Sequence, residues 1–94
     1  MKIEREEIEN TGRFYINENK TTLAEILYTR PNKNTLLITH TEVDESMEGK
    51  GIGKQLVVAT VEYARNNSFT IKATCPFAKK ILDRTKEYAD VYAS

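Results

Sequence analysis

The chain has 94 residues, 39% of them hydrophobic, with 14 basic against 14 acidic side chains and a single cysteine. That length makes one domain, expected over residues 1–94, which buries only about 60–65% of its unfolded surface. The composition excludes collagen, coiled coil and disorder, and the neutral balance excludes a general nucleic-acid binder. No apolar run nears the roughly 20 residues of a membrane span. Met1-Lys2-Ile3-Glu4-Arg5-Glu6 lacks the apolar core of a secretory signal. One cysteine cannot staple a monomer, which suits a reducing compartment. The expectation is a cytoplasmic monomer with no membrane contact.

The first half reads as strands separated by turns. A weak alternation runs from Met1 to Glu9, and Asn10-Thr11-Gly12 carries turn chemistry. Arg13-Phe14-Tyr15-Ile16 is a short strand closed by Asn17-Glu18-Asn19-Lys20. Thr21 to Thr29 forms a third strand on Leu23, Ile26, Leu27 and Tyr28, and Arg30 to Asn34 a loop. Thr35 to Val43 is the strongest strand signal. Such tight connections build an antiparallel meander.

From Gly51 the period changes. Ile52, Leu56, Ala59 and Tyr63 recur at helical spacing, with Val57, Val61 and Ala64 widening the stripe, up to Asn66-Asn67-Ser68. Phe69 to Cys75 reads as a buried strand. Pro76 to Arg84 reads as a helix opened by its proline, with Phe77, Ile81 and Leu82 inward. Lys86 to Ser94 completes the chain as a short helix carrying Tyr88, Val91 and Tyr92. The strand, helix and strand around the glycines form one right-handed β-α-β unit. The fold class is therefore α/β in the α+β sense: a mixed, mostly antiparallel sheet with a β-α-β crossover.

Glu48-Gly49-Lys50-Gly51-Ile52-Gly53-Lys54 lies between that unit's first strand and its helix. Glycines let successive N–H groups converge, and a helix N-terminus adds roughly half a positive charge, so the loop suits an anion. Lys50 and Lys54 add charge at the rim. Residues 1–48 hold ten acids and six bases, whereas residues 49–94 hold four acids and eight bases. Either this is scattered surface charge, or the positive half faces an anionic ligand. A Walker A loop is excluded because Gln55 follows Gly53-Lys54, and GxGxxG is absent because the loop reads GxGxG.

Val43, the loop and the amphipathic helix after it resemble the acetyl-CoA motif of the GNAT superfamily of N-acetyltransferases. That motif is written R/Q-x-x-G-x-G/A; Gly51 and Gly53 match it, and Glu48 stands where the family has Arg or Gln. His40-Thr41-Glu42-Val43, Tyr63-Ala64-Arg65 and Cys75-Pro76-Phe77 extend the likeness to the very small, stand-alone GNAT-like proteins. The resemblance implies a minimal GNAT-like acyl-CoA N-acyltransferase fold. It implies acetyl-CoA held by Val43, Gly49, Lys50, Gly51, Ile52, Gly53, Lys54, Pro76 and Phe77, and an acetyl group passed to an unidentified amine. In such folds the strand matching Thr35–Val43 splays from its neighbour and pairs with pantetheine as an added strand would. Full-sized members place two helices after their first strand; here only Asn10 to Gly12 stands there. A non-catalytic module binding CoA or a partner protein is the alternative.

Four side chains could carry chemistry, with Cys75, His40 and Glu42 the catalytic candidates. Cys75 ends a strand before Pro76, so its sulfur can sit at a helix N-terminus and act as a thiolate acetyl acceptor; otherwise it is a small buried residue. His40, the only histidine, is either a base partnering Cys75 or a structural side chain. Glu42 either orients an amine or is simply exposed. Strict alternation puts His40 and Glu42 on one face with Leu36 and Ile38, unless a bulge intervenes. Tyr88 either protonates the leaving thiolate or packs the C-terminal segment. One His and one Cys are too few soft ligands for a metal site.

Overall fold

The computed structural model describes residues 2–93; Met1 and Ser94, the outer ends of the first strand and last helix expected above, lie outside them. Among the described residues the elements are β1 (Glu4–Ile8), β2 (Thr11–Glu18), β3 (Thr21–Asn32), β4 (Thr35–Val43), a 3-10 turn at Glu45–Met47, α1 (Ile52–Asn66), β5 (Thr70–Ala73), α2 (Pro76–Arg84) and a 3-10 turn at Lys86–Tyr88. The sheet runs β1-β2-β3-β4-β5. Its first three pairings are antiparallel, and β4–β5 is parallel across the α1 crossover. This is the mixed sheet expected from the change of period at Gly51.

Each departure from expectation has a local cause. Thr11 and Gly12 belong to β2, because the chain reverses one step earlier with Glu9 at φ 57. Asn19 and Lys20, at φ 51 and 68, form a two-residue hairpin whose left-handed pair matches the twist of the strands. β3 runs on through Pro31, where the register with β4 breaks between Thr29 and Asn32; the missing N–H falls in that break. The final segment is not a helix beyond Tyr88. Ile71 N donates to Val91 O at 2.6 Å and Ala93 N to Ile71 O at 2.9 Å, so an extended tail lies along the outer edge of β5.

One face of the sheet carries the core. Phe14, Ile16, Ala24, Ile26, Tyr28, Leu36, Ile38 and Ile71 meet Leu56, Val57, Val61 and Ala64 of α1 and Ala78 and Leu82 of α2. On α1 the buried stripe is turned slightly from the expected one. Ala59 and Tyr63 are half-buried, while Thr60 is fully buried because its hydroxyl donates to Leu56 O at 2.9 Å. The opposite sheet face, with Arg13, Tyr15, Leu27 and Leu37, is only half-buried, and among the described residues none of the helical core residues lies on it. The site is therefore framed by α1, α2 and the C-terminal end of β4.

Candidate functional site

β4 and β5 pair from Thr35–Thr70 as far as Ile38–Ala73 and then part. At the parting point Ile38 O accepts from Thr74 N at 2.9 Å and from Cys75 N at 3.3 Å. β5 turns away there, since Cys75 at φ −70, ψ 119 is the N-cap of α2 and precedes its N1 proline. β4 continues alone, leaving the backbone of Thr39 to Val43 unpaired on the β5 side. A groove of about 470 Å³ opens beside this edge, lined by Thr41, Val43, Met47, Glu48, Gly49, Gly51, Ile52, Gly53, Lys54, Phe77 and Ile81.

The glycines of this groove have two different duties. Gly49 at φ 79 and Gly51 at φ 72 hold the left-handed turn that leads into α1, and a Cβ on either would meet nothing within 4 Å. Their need for glycine is conformational. Gly53 is inside the helix, and a Cβ there would lie 2.6 Å from the Phe77 ring, so it is a seat for that ring. α1 begins with Gly51 as N-cap, has no side-chain cap, and makes its first helical bond from Gln55 N to Gly51 O at 3.0 Å. The amides of Ile52, Gly53 and Lys54 thus have no acceptor within the helix and face the groove end. Lys50 and Lys54 are exposed beside them, as is the Glu48 carboxylate. A phosphate-bearing ligand fits this cradle of free amides, left-handed glycines and flanking ammonium groups.

His40 and Glu42 do not lie where alternation puts them. Tyr28 pairs with Ile38 but Leu27 with His40, so Thr39 is an extra residue, a β-bulge in β4. Beyond it the faces exchange. His40 and Glu42 are exposed beside Leu27 and Glu25 on the open face, and Thr41 takes the inward place. His40 is consequently separated by the sheet from Cys75 and is not its partner. Thr41 is: its Oγ1 lies 3.4 Å from Cys75 Sγ, and the sulfur is buried, with Cys75 only 5% exposed. Pro76 is exposed at the start of α2, outside the groove lining, whereas Phe77 and Ile81 one turn on form its wall. Tyr88 packs against the core away from the groove. Thr41, Met47 and Ile81 are not among the site residues that the sequence points to; only the bulge, which has no residue signature, brings Thr41 in.

A second, larger groove of about 770 Å³ lies between Thr22–Glu25 and Glu42–Ser46. Its lining carries Glu25, Glu42, Asp44 and Glu45 and no cation, so it repels phosphate despite its size. Asp44 is held below the usual carboxylate range by hydrogen bonds from the Ser46 hydroxyl and backbone N–H, which cap the 3-10 turn. Val43 lines both grooves. Among the described residues no group of three or more His, Cys, Asp or Glu is placed to hold a metal ion, and no helix is long and apolar enough to cross a membrane.

A family model described as GCN5-related N-acetyl-transferase matches residues 13–91. The chain is 41% identical to a GCN5-like protein from Staphylococcus aureus solved by NMR, over 97% of this chain and 88% of that one, with a TM-score of 0.76. A ribosomal-protein-alanine N-acetyltransferase from Brucella melitensis is 14% identical over 80% of this chain and 62% of its own, with a TM-score of 0.64. An aminoglycoside N-acetyltransferase solved in complex with CoA is 11% identical over 81% of this chain and 66% of its own, with a TM-score of 0.57. The last two share the fold, and this chain spans just under two thirds of their length. No curated protein matches the sequence.

Proposed function

Because the chain belongs to the GCN5-related N-acetyltransferase family, we propose that it takes acetyl-CoA as donor and passes the acetyl group to an amine. One observation carries this reading: the groove that begins at the uncapped N-terminus of α1 runs along the unpaired edge of β4 to Thr41, beside Cys75. The pyrophosphate rests on the amides of Ile52 to Lys54, and the backbone of Val43 meets the pantetheine arm as a neighbouring strand would. Phe77 closes the α2 side.

Cys75 is the nucleophile within reach of the groove's inner end. Its thiolate attacks the thioester carbonyl carbon, the bond to the CoA sulfur breaks, and CoA leaves as the thiol with the proton Cys75 gave up. The amine then attacks the acetyl-cysteine and restores the thiol. His40 and Glu42 lie on the open face, across the sheet from Cys75, and take no part in this relay, so the amine reaches the acetyl-cysteine through the groove itself. Cys75→Ala should leave acetyl-CoA affinity within a few-fold while lowering acetyl transfer at least ~100-fold. Acetylated wild-type protein in an intact-mass spectrum would corroborate the relay. Full activity of the variant would mean direct transfer from donor to amine.

The separation of His40 from Cys75 by the sheet favours one other reading, a module that binds acyl-CoA without turning it over. A titration of labelled protein with acetyl-CoA, followed by an amine panel, decides. Saturable amide shifts at Val43 and Gly49–Lys54 with thiol release coupled to one amine support the enzyme, and shifts without release support the module. Glu48 also sets an expectation, since its carboxylate shares the groove rim with the phosphate cradle. Glu48→Gln should tighten acetyl-CoA binding about two- to fivefold at low salt, the scale of one exposed charge interaction, with the gain shrinking as salt is added.

A further inference from the structure

The wedge between β4 and β5 is sealed at its apex. Ile38 O receives Thr74 N, Cys75 N and, at 3.5 Å, Thr74 Oγ1, so three donors close the end where the strands meet. The next layer towards the groove is the contact between Thr41 Oγ1 and Cys75 Sγ at 3.4 Å. Behind this pair Leu36, Ile38, Leu56 and Ala78 have no exposed surface, so the interior offers no slot for further atoms. Thr41 is the lining residue of β4 farthest from the glycine loop. A thioester entering from the loop therefore ends against the Thr41 side chain.

Resting on the donor reading above, we infer that Thr41, packed on Cys75, is the stop that limits the transferred acyl group to two carbons. A longer acyl chain has to break the Thr41–Cys75 contact or push into a fully packed core, and close-packed interiors resist even one added methylene. The stop is steric: the Thr41 methyl and Cβ occupy the place where a third and fourth acyl carbon would go.

The test uses the whole chain and titrates CoA, acetyl-CoA, propionyl-CoA and butyryl-CoA, read by backbone amide shifts. Wild type should bind butyryl-CoA at least ~10-fold more weakly than acetyl-CoA, the scale of discrimination that pocket walls achieve per methylene. Thr41→Ser, which removes one methyl, should bring propionyl-CoA to within a few-fold of acetyl-CoA. Thr41→Val keeps the bulk and loses the hydroxyl, so it should retain the wild-type order, which a purely polar role for Thr41 would not allow. Unchanged amide spectra of both variants without ligand establish that they fold. Equal affinities for all three thioesters in wild type, or a Thr41→Ser protein with the wild-type order, would overturn the stop while leaving the donor site standing. Absence of shifts with CoA and every thioester would remove the donor reading and the stop together.

Discussion

Gly51→Val should weaken acetyl-CoA binding at least ~100-fold while the domain remains folded. Gly51 sits at φ 72, ψ 19, as the N-cap of α1, with nothing within 4 Å of the place a Cβ would occupy. The substitution therefore meets no clash; it meets a backbone conformation that a β-branched residue does not hold. Left-handed backbone costs an ordinary L-residue about 1–2 kcal/mol, and more when the side chain is branched at Cβ. The chain relaxes by returning Gly51 to negative φ, which swings the amides of Ile52 and Gly53 out of their common direction. Those amides are the cradle, so several weak contacts fail at once. Folding survives because α1 is held by Leu56, Val57, Val61 and Ala64, all fully buried and remote from the turn. Isothermal titration with acetyl-CoA and a thermal melt measure the two effects separately. Affinity within threefold of wild type, a ratio worth about 0.7 kcal/mol, would show that the turn does not shape the site.

The contrast with Gly53 sharpens the point. In sequence Gly49, Gly51 and Gly53 are equivalent, three alternating glycines in a loop. In the fold only the first two have positive φ, and Gly53 is glycine because the Phe77 ring lies on it. That contact joins residues 24 apart, which no local pattern reports. The elements themselves were legible for the usual reason, that burial on one face imposes a period. β4 and the start of α2 follow directly from the run Thr35–Val43 and from Pro76. The C-terminal segment was not legible, because Tyr88, Val91 and Tyr92 fit a helix as well as an edge strand. The choice between them is made by the free edge of β5 at Ile71.

The bulge at Thr39 is the more consequential omission. One extra residue in β4 moves His40 and Glu42 to the open face and delivers Thr41 to Cys75. A period-2 reading carries every side chain beyond the bulge to the wrong face. Here that error falls on the catalytic candidates and spares the core, because the buried residues Leu36 and Ile38 precede the bulge. The charge asymmetry is divided between the two grooves. Lys54 lines the groove of the amide cradle together with Glu48, Lys50 is exposed outside that lining, and Glu25, Glu42, Asp44 and Glu45 line the other groove. Val43 lines both grooves, one with Lys54 and Glu48 at its rim and the other with four carboxylates.

At the other end of the sheet, Gly12→Ala should lower stability by about 3 kcal/mol and the melting temperature by roughly 12–24 °C. A Cβ on Gly12 would lie 2.4 Å from Tyr28 Cζ, 2.5 Å from its oxygen and 2.9 Å from Glu6 O. None of the three can yield cheaply. The Glu6 carbonyl is backbone in the β1–β2 pairing, directly beside the Glu7–Gly12 pair. Tyr28 is 1% exposed, its ring packs 5.7 Å from Phe14, and its hydroxyl donates to Glu7 Oε1 at 2.7 Å while accepting from Arg5 Nη1 at 3.0 Å. Burial first, then the bond to Glu7, pushes the phenol up to about 12, so it stays a neutral donor at working pH. Displacing it strands a half-buried Glu7 carboxylate that also serves Arg30, so overpacking and a lost charge-assisted hydrogen bond add. If that account holds, Tyr28→Leu should already carry much of the loss, and the double variant should cost clearly less than the sum of the two single ones. Neither variant touches the groove, so below its own melting temperature each should bind acetyl-CoA with wild-type affinity. A Gly12→Ala protein melting within about 3 °C of wild type would mean that the β1–β2 hairpin shifts as a unit to admit the methyl, and that Tyr28 does not pin it.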